Sequence, residues 1–376
     1  MKRAVDKVVV LGGGITGSVA ATALAQRGIQ VTLIEKVPEW RGVGHGITVQ
    51  GNALRAFERI GVVDDVIAQA YPFNNIRLLT ADGSQIADVP AAHTGGDHLP
   101  STIGSLRSSL QEILLKAVHD AGVQVRVGVH MTSYDDDTEG VTVHLSDGTS
   151  ERCDLVVGAD GIRSQTRAMI GIEDQPRPTG MSIWRIGAPR PEAMTCAEVY
   201  YGGPAYKAGY SPINQAECYA YMLDKPLDRE SFGDRPLGEI LLERSEGYGG
   251  LWGQIRDTIT ADTVVNYQWI EWLLVEDSWH RGRVVIIGDA VHACPPLIAQ
   301  GAAMCSEDAV VLAEMLDGPG ELDDLLQAFA DRRLPRVRRV VEASMQLVEW
   351  EIHPETPGAD PGRVMAETLN SLVPPP

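Results

Sequence analysis

A glycine-rich turn near the N-terminus restricts the fold of this chain more than any other segment. Gly12, Gly14 and Gly17 have the spacing G-x-G-x-x-G directly after the apolar run at 8–11, and "SVAATALAQRG" then repeats small and apolar residues at helical spacing. In such a strand–turn–helix unit the first glycine allows a tight turn, and the second lets a pyrophosphate approach the backbone. The third lets the helix pack against the strand, and the helix N-terminus supplies N–H groups for the phosphates. The segment therefore predicts a dinucleotide-binding unit.

An acidic residue ends the next predicted strand, "VTLIE". Glu35 follows Gly17 by eighteen residues, where its carboxylate can accept hydrogen bonds from the two ribose hydroxyls. The same charge repels a 2′-phosphate, so the bound dinucleotide is expected to be FAD or NAD rather than NADP. Ile15 and Thr16 between the glycines, and Lys36 beside the glutamate, are counted with the predicted cofactor-binding residues.

The rest of the chain predicts an α/β protein with an inserted β-rich domain. Alternating strands and amphipathic helices suit a Rossmann-like domain formed by residues 1–75, 102–177 and 277–340. Tyrosine, tryptophan and proline gather between them, in segments such as "ECYAYML" that alternate like antiparallel strands, so residues 76–101 and 178–276 are predicted to form the substrate domain. Residues 341–376 are predicted to be a C-terminal helix and a loosely held proline-rich tail.

Charge and cysteine content exclude several classes of function. The formal net charge of −19 argues against nucleic acid and anionic membrane as partners. No apolar run approaches the roughly 20 residues that span a bilayer. The five cysteines show no C-x-x-C spacing, and there is no H-E-x-x-H pair, so no metal site is predicted. A cytoplasmic protein with reduced thiols is expected, either a monomer or a homodimer.

Two further strands end in carboxylates. "DLVVGADGIRSQTR" places Asp160 at one strand end, and "RVVIIGDAVHACPPLIAQG" places Asp289 at another. In the second segment a rigid pair of prolines, ending at Pro296, follows the carboxylate within seven residues. A loop that only reversed the chain would need neither feature, which indicates a ligand site.

Together with the glycine turn, these two segments resemble the signature segments of flavoprotein monooxygenases of the aromatic-hydroxylase type. "RGVGHGITVQGNALRAFERIG", with Arg41, Gly46 and Ile47, resembles another segment of that family, and Arg107 falls where the family has an arginine facing the flavin. The resemblance extends from residue 5 to about residue 345. It implies an FAD-binding domain of the glutathione-reductase/aromatic-hydroxylase type.

The resemblance also implies roles for single residues around a non-covalent FAD. Asp289 binds the ribityl hydroxyls, and Pro296 packs beside the reactive edge of the ring. Asp160 belongs to the cofactor site, the alternative being that it only caps a turn. Gly301 and Ala302 begin a helix whose N-terminus favours the negative charge of the reduced flavin. Ala303 stands where many members have asparagine, which removes one polar group near the flavin. His292 is interpreted as structural.

The implied reaction is hydroxylation of a small electron-rich ring, phenolic or N-heteroaromatic, through a flavin hydroperoxide formed with O2. Because the chain has a single dinucleotide fingerprint, NADH or NADPH is expected to bind transiently as co-substrate. An FAD-dependent reductase or dehydrogenase of the same fold, without oxygen insertion, is the alternative, and a non-enzymatic flavin-binding protein is the third reading.

The substrate site is expected between the flavin and the β-rich domain. Tyr210 is predicted to touch the substrate hydroxyl, because some related hydroxylases carry a tyrosine at the end of a His-x-x-x-Tyr segment and Tyr206 precedes it here at that spacing. His45 and Arg185 are the other candidate catalytic residues, and Tyr221 and Pro296 complete the candidate substrate contacts. Further pocket candidates are Tyr201, Tyr219 and Trp184. The competing interpretation is that these tyrosines only fill the core of the sheet.

Overall fold

The computed structural model describes residues 3–40, 45–137 and 139–376. Its central sheet has six strands in the order β18-β19-β12-β1-β2-β8, all parallel except the antiparallel edge strand β18. The inner strands are continuous apolar runs because helices cover both faces of such a sheet. The six strands are β1 (Lys7–Leu11), β2 (Gln30–Glu35), β8 (Gln124–Val127), β12 (Leu155–Gly158), β18 (His280–Arg281) and β19 (Val284–Ile286).

Two small antiparallel sheets flank the central one. The order in the first is β11-β10-β9 and in the second β3-β7-β4. The second sheet matters for the site, because it carries the residues that follow the undescribed segment 41–44. The strands are β3 (Gly46–Gln50), β4 (Tyr71–Phe73), β7 (Thr102–Leu106), β9 (Met131–Asp136), β10 (Val141–Leu145) and β11 (Ser150–Cys153).

An eight-stranded sheet forms the second half of the molecule, in the order β20-β17-β13-β16-β15-β14-β5-β6. Neighbouring strands are antiparallel except β14 and β5, which are parallel. The strands are β5 (Asn75–Thr80), β6 (Gln85–Pro90), β13 (Arg177–Pro189), β14 (Ala197–Tyr201), β15 (Lys207–Pro212), β16 (Glu217–Asp224), β17 (Asn266–Leu274) and β20 (His292–Ala293).

Among the residues that the structure describes, ten α-helices surround the sheets. α1 packs against α4 and α8, and α9 continues through Pro335 as one helix of 31 residues. The helices are α1 (Ile15–Ala25), α2 (Gly51–Arg59), α3 (Val63–Ala68), α4 (Arg107–Asp120), α5 (Gln165–Met169), α6 (Leu237–Arg244), α7 (Gly250–Arg256), α8 (Gly301–Leu316), α9 (Leu322–Ile352) and α10 (Pro361–Ser371). Three short 3-10 turns cover Arg229–Phe232, Gly288–Ala290 and Pro296–Ile298.

The two faces of the eight-stranded sheet have different partners, because successive side chains of a strand point to opposite sides. We call the side that packs against β3 and β7 the cleft face; Arg185, Tyr219 and Tyr221 lie on it. The opposite side, the outer face, packs against α6 and α7 and forms a second core that includes Trp184 and Tyr210. Only the cleft face can contribute to a site shared with the central sheet.

The C-terminal tail is held more firmly than its proline content predicts. Residues 361–371 form α10, and Leu372 is fully buried. Arg336 of α9 donates from Nη2 to the Leu372 carbonyl at 2.8 Å, so the expectation of a loosely held tail is wrong. The domain boundaries expected from the sequence remain a prediction. Within residues 3–40, 45–137 and 139–376, no helix has the length and hydropathy to cross a membrane.

Candidate active site

The glycine turn between β1 and α1 has the geometry that a dinucleotide requires. Gly12 has φ +101° and donates its N–H to the Ile34 carbonyl at 2.8 Å. A Cβ on Gly17 would lie 1.8 Å from the Gly12 oxygen, so only glycine lets helix and strand approach this closely. By contrast, a Cβ on Gly14 would meet nothing within 4 Å. The space beside Gly14 is where a pyrophosphate would approach the backbone.

Glu35 holds the turn as well as facing the predicted ribose position. Its Oε2 accepts from the Gly13 N–H at 2.7 Å and its Oε1 from the Val37 N–H at 2.8 Å. Each carboxylate oxygen can accept a second hydrogen bond, which leaves capacity for ribose hydroxyls. Trp40 Nε1 and Gln111 Nε2 donate to the Gly13 carbonyl at 2.7 and 2.8 Å. Trp40 and Gln111 were not predicted from the sequence, because nothing in the glycine motif marks its side-chain partners.

Asp289 stands half-buried in the turn that follows β19. Its one described partner is Cys305, whose Sγ lies 3.4 Å from Oδ1. The preceding residue, Gly288, has φ +64° and donates to Asp308 Oδ2 at 2.9 Å. The carboxylate of Asp289 is therefore fixed by its backbone while most of its acceptor capacity is unused by the described protein atoms.

Beneath this turn lies a buried network of charges. His292 Nε2 lies 2.6 Å from Asp308 Oδ2, and Arg333 Nε donates to Asp308 Oδ1 at 2.8 Å. Arg333 Nη1 also donates to Glu307 Oε2 at 2.9 Å. Burial would raise the pKa of Asp308, but His292 and Arg333 lower it to about 2. This placement agrees with the structural interpretation of His292.

A short segment leads from Pro296 to the N-terminus of α8. Pro296 is exposed, and Ala299 has φ 52°, a left-handed value found in no other non-glycine residue of the described chain. Gln300 is fully buried; its Oε1 accepts from Asn52 Nδ2 at 3.0 Å, while its own Nε2 has no partner among the described atoms. An unpaired buried N–H beside Gly301 indicates that a ligand atom belongs here.

Asp160 is held by hydrogen bonds within its own loop. Oδ1 accepts from Ser164 Oγ at 2.5 Å, and Oδ2 accepts from Thr166 N and Oγ1, each at 3.0 Å. Ser164 in turn caps α5 by accepting from the Arg167 N–H. Both carboxylate oxygens accept hydrogen bonds within the loop, so Asp160 organises the loop, and its predicted place in the cofactor site stays a prediction.

Three predicted cofactor residues lie near the start of β3 and α4. Gly46 and Ile47 begin β3, which pairs with β7. Arg107 begins α4; its N–H donates to the His45 carbonyl at 3.4 Å, and its exposed guanidinium has no partner among the described residues. Arg41 lies outside the described residues.

These groups fit a flavin dinucleotide. The turn leaves space at Gly14, Asp289 offers a fixed acceptor for hydroxyls, and the first residues of α8 present N–H groups beside the unpaired amide of Gln300. Arg107, at the start of α4, supplies an exposed positive charge. A flavin carries hydroxyl, phosphate and ring-oxygen groups that match these partners.

Arg185 and His45 meet across the cleft. Arg185 donates from Nε to Tyr219 Oη at 3.1 Å, and from Nη1 to Asn266 Oδ1 and Gln268 Oε1 at 3.4 and 3.3 Å. No carboxylate pairs with it among the described residues. A Cβ on Gly187 would lie 3.5 Å from His45 Nδ1. Burial, and then the charge of Arg185, lower the pKa of His45, so its imidazole is neutral near pH 7.

The predicted contact between Tyr210 and the substrate is wrong. Tyr210 is fully buried on the outer face, where its hydroxyl donates to Glu198 and lies 3.5 Å from that of Tyr200. Burial first, and then Glu198, raise the pKa of Tyr210 well above its usual value, which is the opposite of what a base needs. Trp184 is also in the outer core and is no pocket residue.

The alternation of side chains along β15 explains why the predicted contact of Tyr210 with the substrate is wrong. Residues at odd positions, including Lys207 and Gly209, share the cleft face, and the even positions point outward. Tyr221 lies on the cleft face, because a Cβ on Gly209 would meet its hydroxyl at 2.5 Å. Tyr206 precedes β15 and is half-buried against the main core. Once the register is known, Lys207 can be assigned to the cleft face. The sequence alone does not reveal whether the odd or the even positions of β15 face the cleft.

The fold and the site define the class as FAD-binding oxidoreductases. The chain belongs to the FAD binding domain family, whose sequence profile matches residues 6–223 and 255–344. This family membership and the site together confirm FAD as the cofactor and the aromatic-hydroxylase type of fold.

Several of the relatives are named as monooxygenases. The chain is 32% identical to 2-heptyl-3-hydroxy-4(1H)-quinolone synthase of Pseudomonas aeruginosa, over 92% of this chain and 90% of that protein. It is 28% identical to 6-hydroxynicotinate 3-monooxygenase of Pseudomonas fluorescens, covering 89% and 90%. Among solved structures, 2-methyl-3-hydroxypyridine-5-carboxylic acid oxygenase superposes with a TM-score of 0.80 at 25% identity, covering 96% and 95%. The protein is therefore an enzyme, an FAD-dependent monooxygenase, and the comparisons favour oxygen insertion over the reductase or dehydrogenase alternative.

Proposed function

We propose that this enzyme hydroxylates a small electron-rich ring, phenolic or N-heteroaromatic, held between the flavin and the cleft face. The main support is the pairing of an uncompensated cation, Arg185, with a histidine whose pKa is lowered, His45. A ring hydroxyl that loses its proton becomes a stronger nucleophile, and the positive charge of Arg185 favours the resulting anion. The relatives named for quinolone, hydroxynicotinate and hydroxypyridine substrates support the same class.

The roles of the chain's own residues follow from their positions. His45, neutral near pH 7, takes the proton of the ring hydroxyl, and Arg185 orients the oxygen that has lost it. Tyr219 and Asn266 hold the guanidinium in place. Pro296 forms the rigid wall beside the ring, and the sheet excludes water from the reacting atoms. When bound, FAD accepts hydride from NADH or NADPH and activates O2.

A screen of aromatic compounds tests this function. The FAD-loaded enzyme is mixed with NADH or NADPH and with phenols, hydroxypyridines, quinolones or purines, and oxidation of the nicotinamide is followed together with product mass. The expected result is that a compound from these classes accelerates oxidation and gains one oxygen atom. If every compound that accelerates oxidation is recovered unchanged, while peroxide accumulates, the proposed hydroxylation fails.

We also propose that the enzyme works in the cytoplasm as a monomer or homodimer. All five cysteines are unpaired thiols and four are buried, which suits a reducing compartment. One structural neighbour is described as tetrameric, so the oligomeric state needs its own measurement. Light scattering on the FAD-loaded protein should give the mass of one or two chains.

A further inference from the structure

A second polar centre lies on the cleft face, away from His45 and Arg185. Lys207 of β15 is 6% exposed, and its Nζ donates to Glu351 Oε1 at 2.5 Å. Glu351 belongs to the last turn of α9, and its side chain is 15% exposed. The partners come from different parts of the fold. Glu351, unlike Lys207, falls outside the part of the chain that the family profile matches.

Burying the Lys207–Glu351 ion pair costs free energy. Its presence therefore needs a reason other than the stability of the fold. Charges removed from water lose hydration, and a buried ion pair seldom stabilises a fold more than apolar residues of similar volume would. Burial tends to lower the pKa of Lys207, but Tyr201 and Glu351 outweigh it and raise the pKa, so the ammonium stays charged. Its Nζ also lies over the Tyr201 ring, 5.7 Å from the centroid.

The pair is continuous with the site of the proposed hydroxylation. Arg185 pairs in register with Tyr221, and Tyr221 pairs with Gly209, two residues from Lys207 on the same face. Strand spacings place the Cα atoms of Arg185 and Lys207 on the order of 12 Å apart, about the length of a bicyclic ring with its substituents. Tyr221 and Leu223 of β16 lie between these two positions in the register, and Tyr219 lies on the far side of Arg185. The Tyr221 hydroxyl lies over Gly209, which has no side chain of its own.

The pair has one donor and one acceptor that the protein leaves unused. An ammonium has three N–H groups. Of those on Lys207, one goes to Glu351 and one is directed at Tyr201, so the third has no partner among the described residues. Glu351 Oε2 likewise accepts from no described group. A donor and an acceptor held side by side match a ring edge that offers a C=O beside an N–H.

We propose that Lys207 and Glu351 select the substrate by binding a lactam edge, a ring N–H adjacent to a ring carbonyl, at the end of the cleft opposite His45. This inference rests on the proposed function and narrows its substrate class to nitrogen heterocycles in the lactam form. Lys207 donates to the carbonyl oxygen, and Glu351 accepts from the ring N–H. A phenol without such an edge leaves the third Lys207 N–H and Glu351 Oε2 desolvated and without a partner, which weakens its binding.

Ligand binding tests the proposal without turnover. FAD-loaded enzyme is titrated with 2-quinolone and with 1-methyl-2-quinolone, in which a methyl group replaces the N–H, and the change in flavin absorbance gives each Kd. The wild type should bind 2-quinolone roughly 10- to 100-fold more tightly, the effect of one unsatisfied buried polar group. Because neither NAD(P)H nor O2 is present, failure here is distinguishable from failure of the hydroxylation itself.

Paired substitutions keep the test independent of folding. Lys207→Met alone leaves a buried carboxylate and risks unfolding, so it is combined with Glu351→Leu, which removes both charges. The double variant should keep its FAD and bind the two ligands with equal affinity. The control is Lys116→Met with Asp120→Leu, an exposed pair on α4, which should discriminate like the wild type. Full discrimination by the Lys207/Glu351 double variant, or no preference for 2-quinolone in the wild type, overturns the proposal.

Discussion

Tyr210 donates its phenol hydrogen to Glu198 on the side of the eight-stranded sheet that faces away from Arg185. Arg77 also donates to this carboxylate, from Nη1 at 3.2 Å. The cluster is a buried polar network of the outer core. Its members connect β14, β15 and β5, so they stabilise the sheet that the cleft depends on.

Replacing Tyr210 by phenylalanine should therefore affect stability and leave the cleft chemistry unchanged. The hydrogen bond ends on a charged group, so its loss should lower the free energy of unfolding by roughly 1.5–3 kcal/mol. Denaturant unfolding measures this. Tyr219→Phe is the matched control on the cleft face, where loss of the bond to Arg185 should alter hydroxylation. If Tyr210→Phe slows hydroxylation at unchanged stability, the assignment to the outer core is wrong.

His45→Gln should slow hydroxylation by about 10²-fold, the lower end of what general base catalysis contributes. Because only neutral imidazole accepts the proton, kcat/KM should fall as pH drops through the pKa of His45. That pKa is lowered, so the fall should begin below the usual value of about 6.5. Arg185→Gln removes one cause of the lowered pKa of His45. In that variant kcat/KM should therefore begin to fall at a higher pH. His98→Gln, at an exposed histidine, is the control. An unchanged pH profile in His45→Gln would assign the base to another group.

Gly14→Val and Gly17→Val separate cofactor binding from folding. A Cβ on Gly14 meets no protein atom within 4 Å, so Gly14→Val should fold normally and lose FAD through contact with the pyrophosphate. At Gly17 the Cβ would overlap the Gly12 carbonyl, so that variant should lose stability as well. Thermal unfolding of the apoproteins and the flavin content after loading provide the two readouts. If Gly14→Val retains its full flavin content, the assignment of the pyrophosphate to the space beside Gly14 is wrong.

Arg333→Met should destabilise the protein by about 3–5 kcal/mol, because it leaves Glu307 and Asp308 buried without their shared cation. In the wild type, the depressed pKa of Asp308 contributes stability that is complete above its unfolded value of about 4 and is lost as pH falls toward about 2. As the pH is lowered, the Arg333→Met variant should begin to lose stability at a higher pH than the wild type. Arg363→Met, an exposed residue of α10, is the control, and equal acid unfolding curves would contradict this role for the network.

The sequence was most informative where backbone geometry restricts residue type. The spacing of Gly12, Gly14 and Gly17 and the positions of Glu35 and Asp289 reflect contacts between backbone and ligand, which few residues allow. They could be read without any tertiary information. The resemblance to flavoprotein monooxygenases, now shown as family membership, rested on the same segments.

Side-chain direction could not be read in this way. A shift of one residue reverses the face to which every side chain of a strand points, so Tyr210 and Lys207 could not be sorted before the register was known. The loop partners of Asp160, Ser164 and Thr166, follow it in the chain without a distinguishing pattern, so these hydrogen bonds could not be assigned from the sequence. Glu351 comes from a helix end some 140 residues away from Lys207 in sequence, a distance no local motif spans.

The most direct test of the central account is the origin of the oxygen atom in the product. The FAD-loaded enzyme, with NADH or NADPH and the best substrate from the aromatic screen, is run under isotopically labelled dioxygen. One labelled atom in the hydroxylated product is the predicted result. A product that carries oxygen from water instead, or an oxidised ring with no added oxygen, would contradict the account.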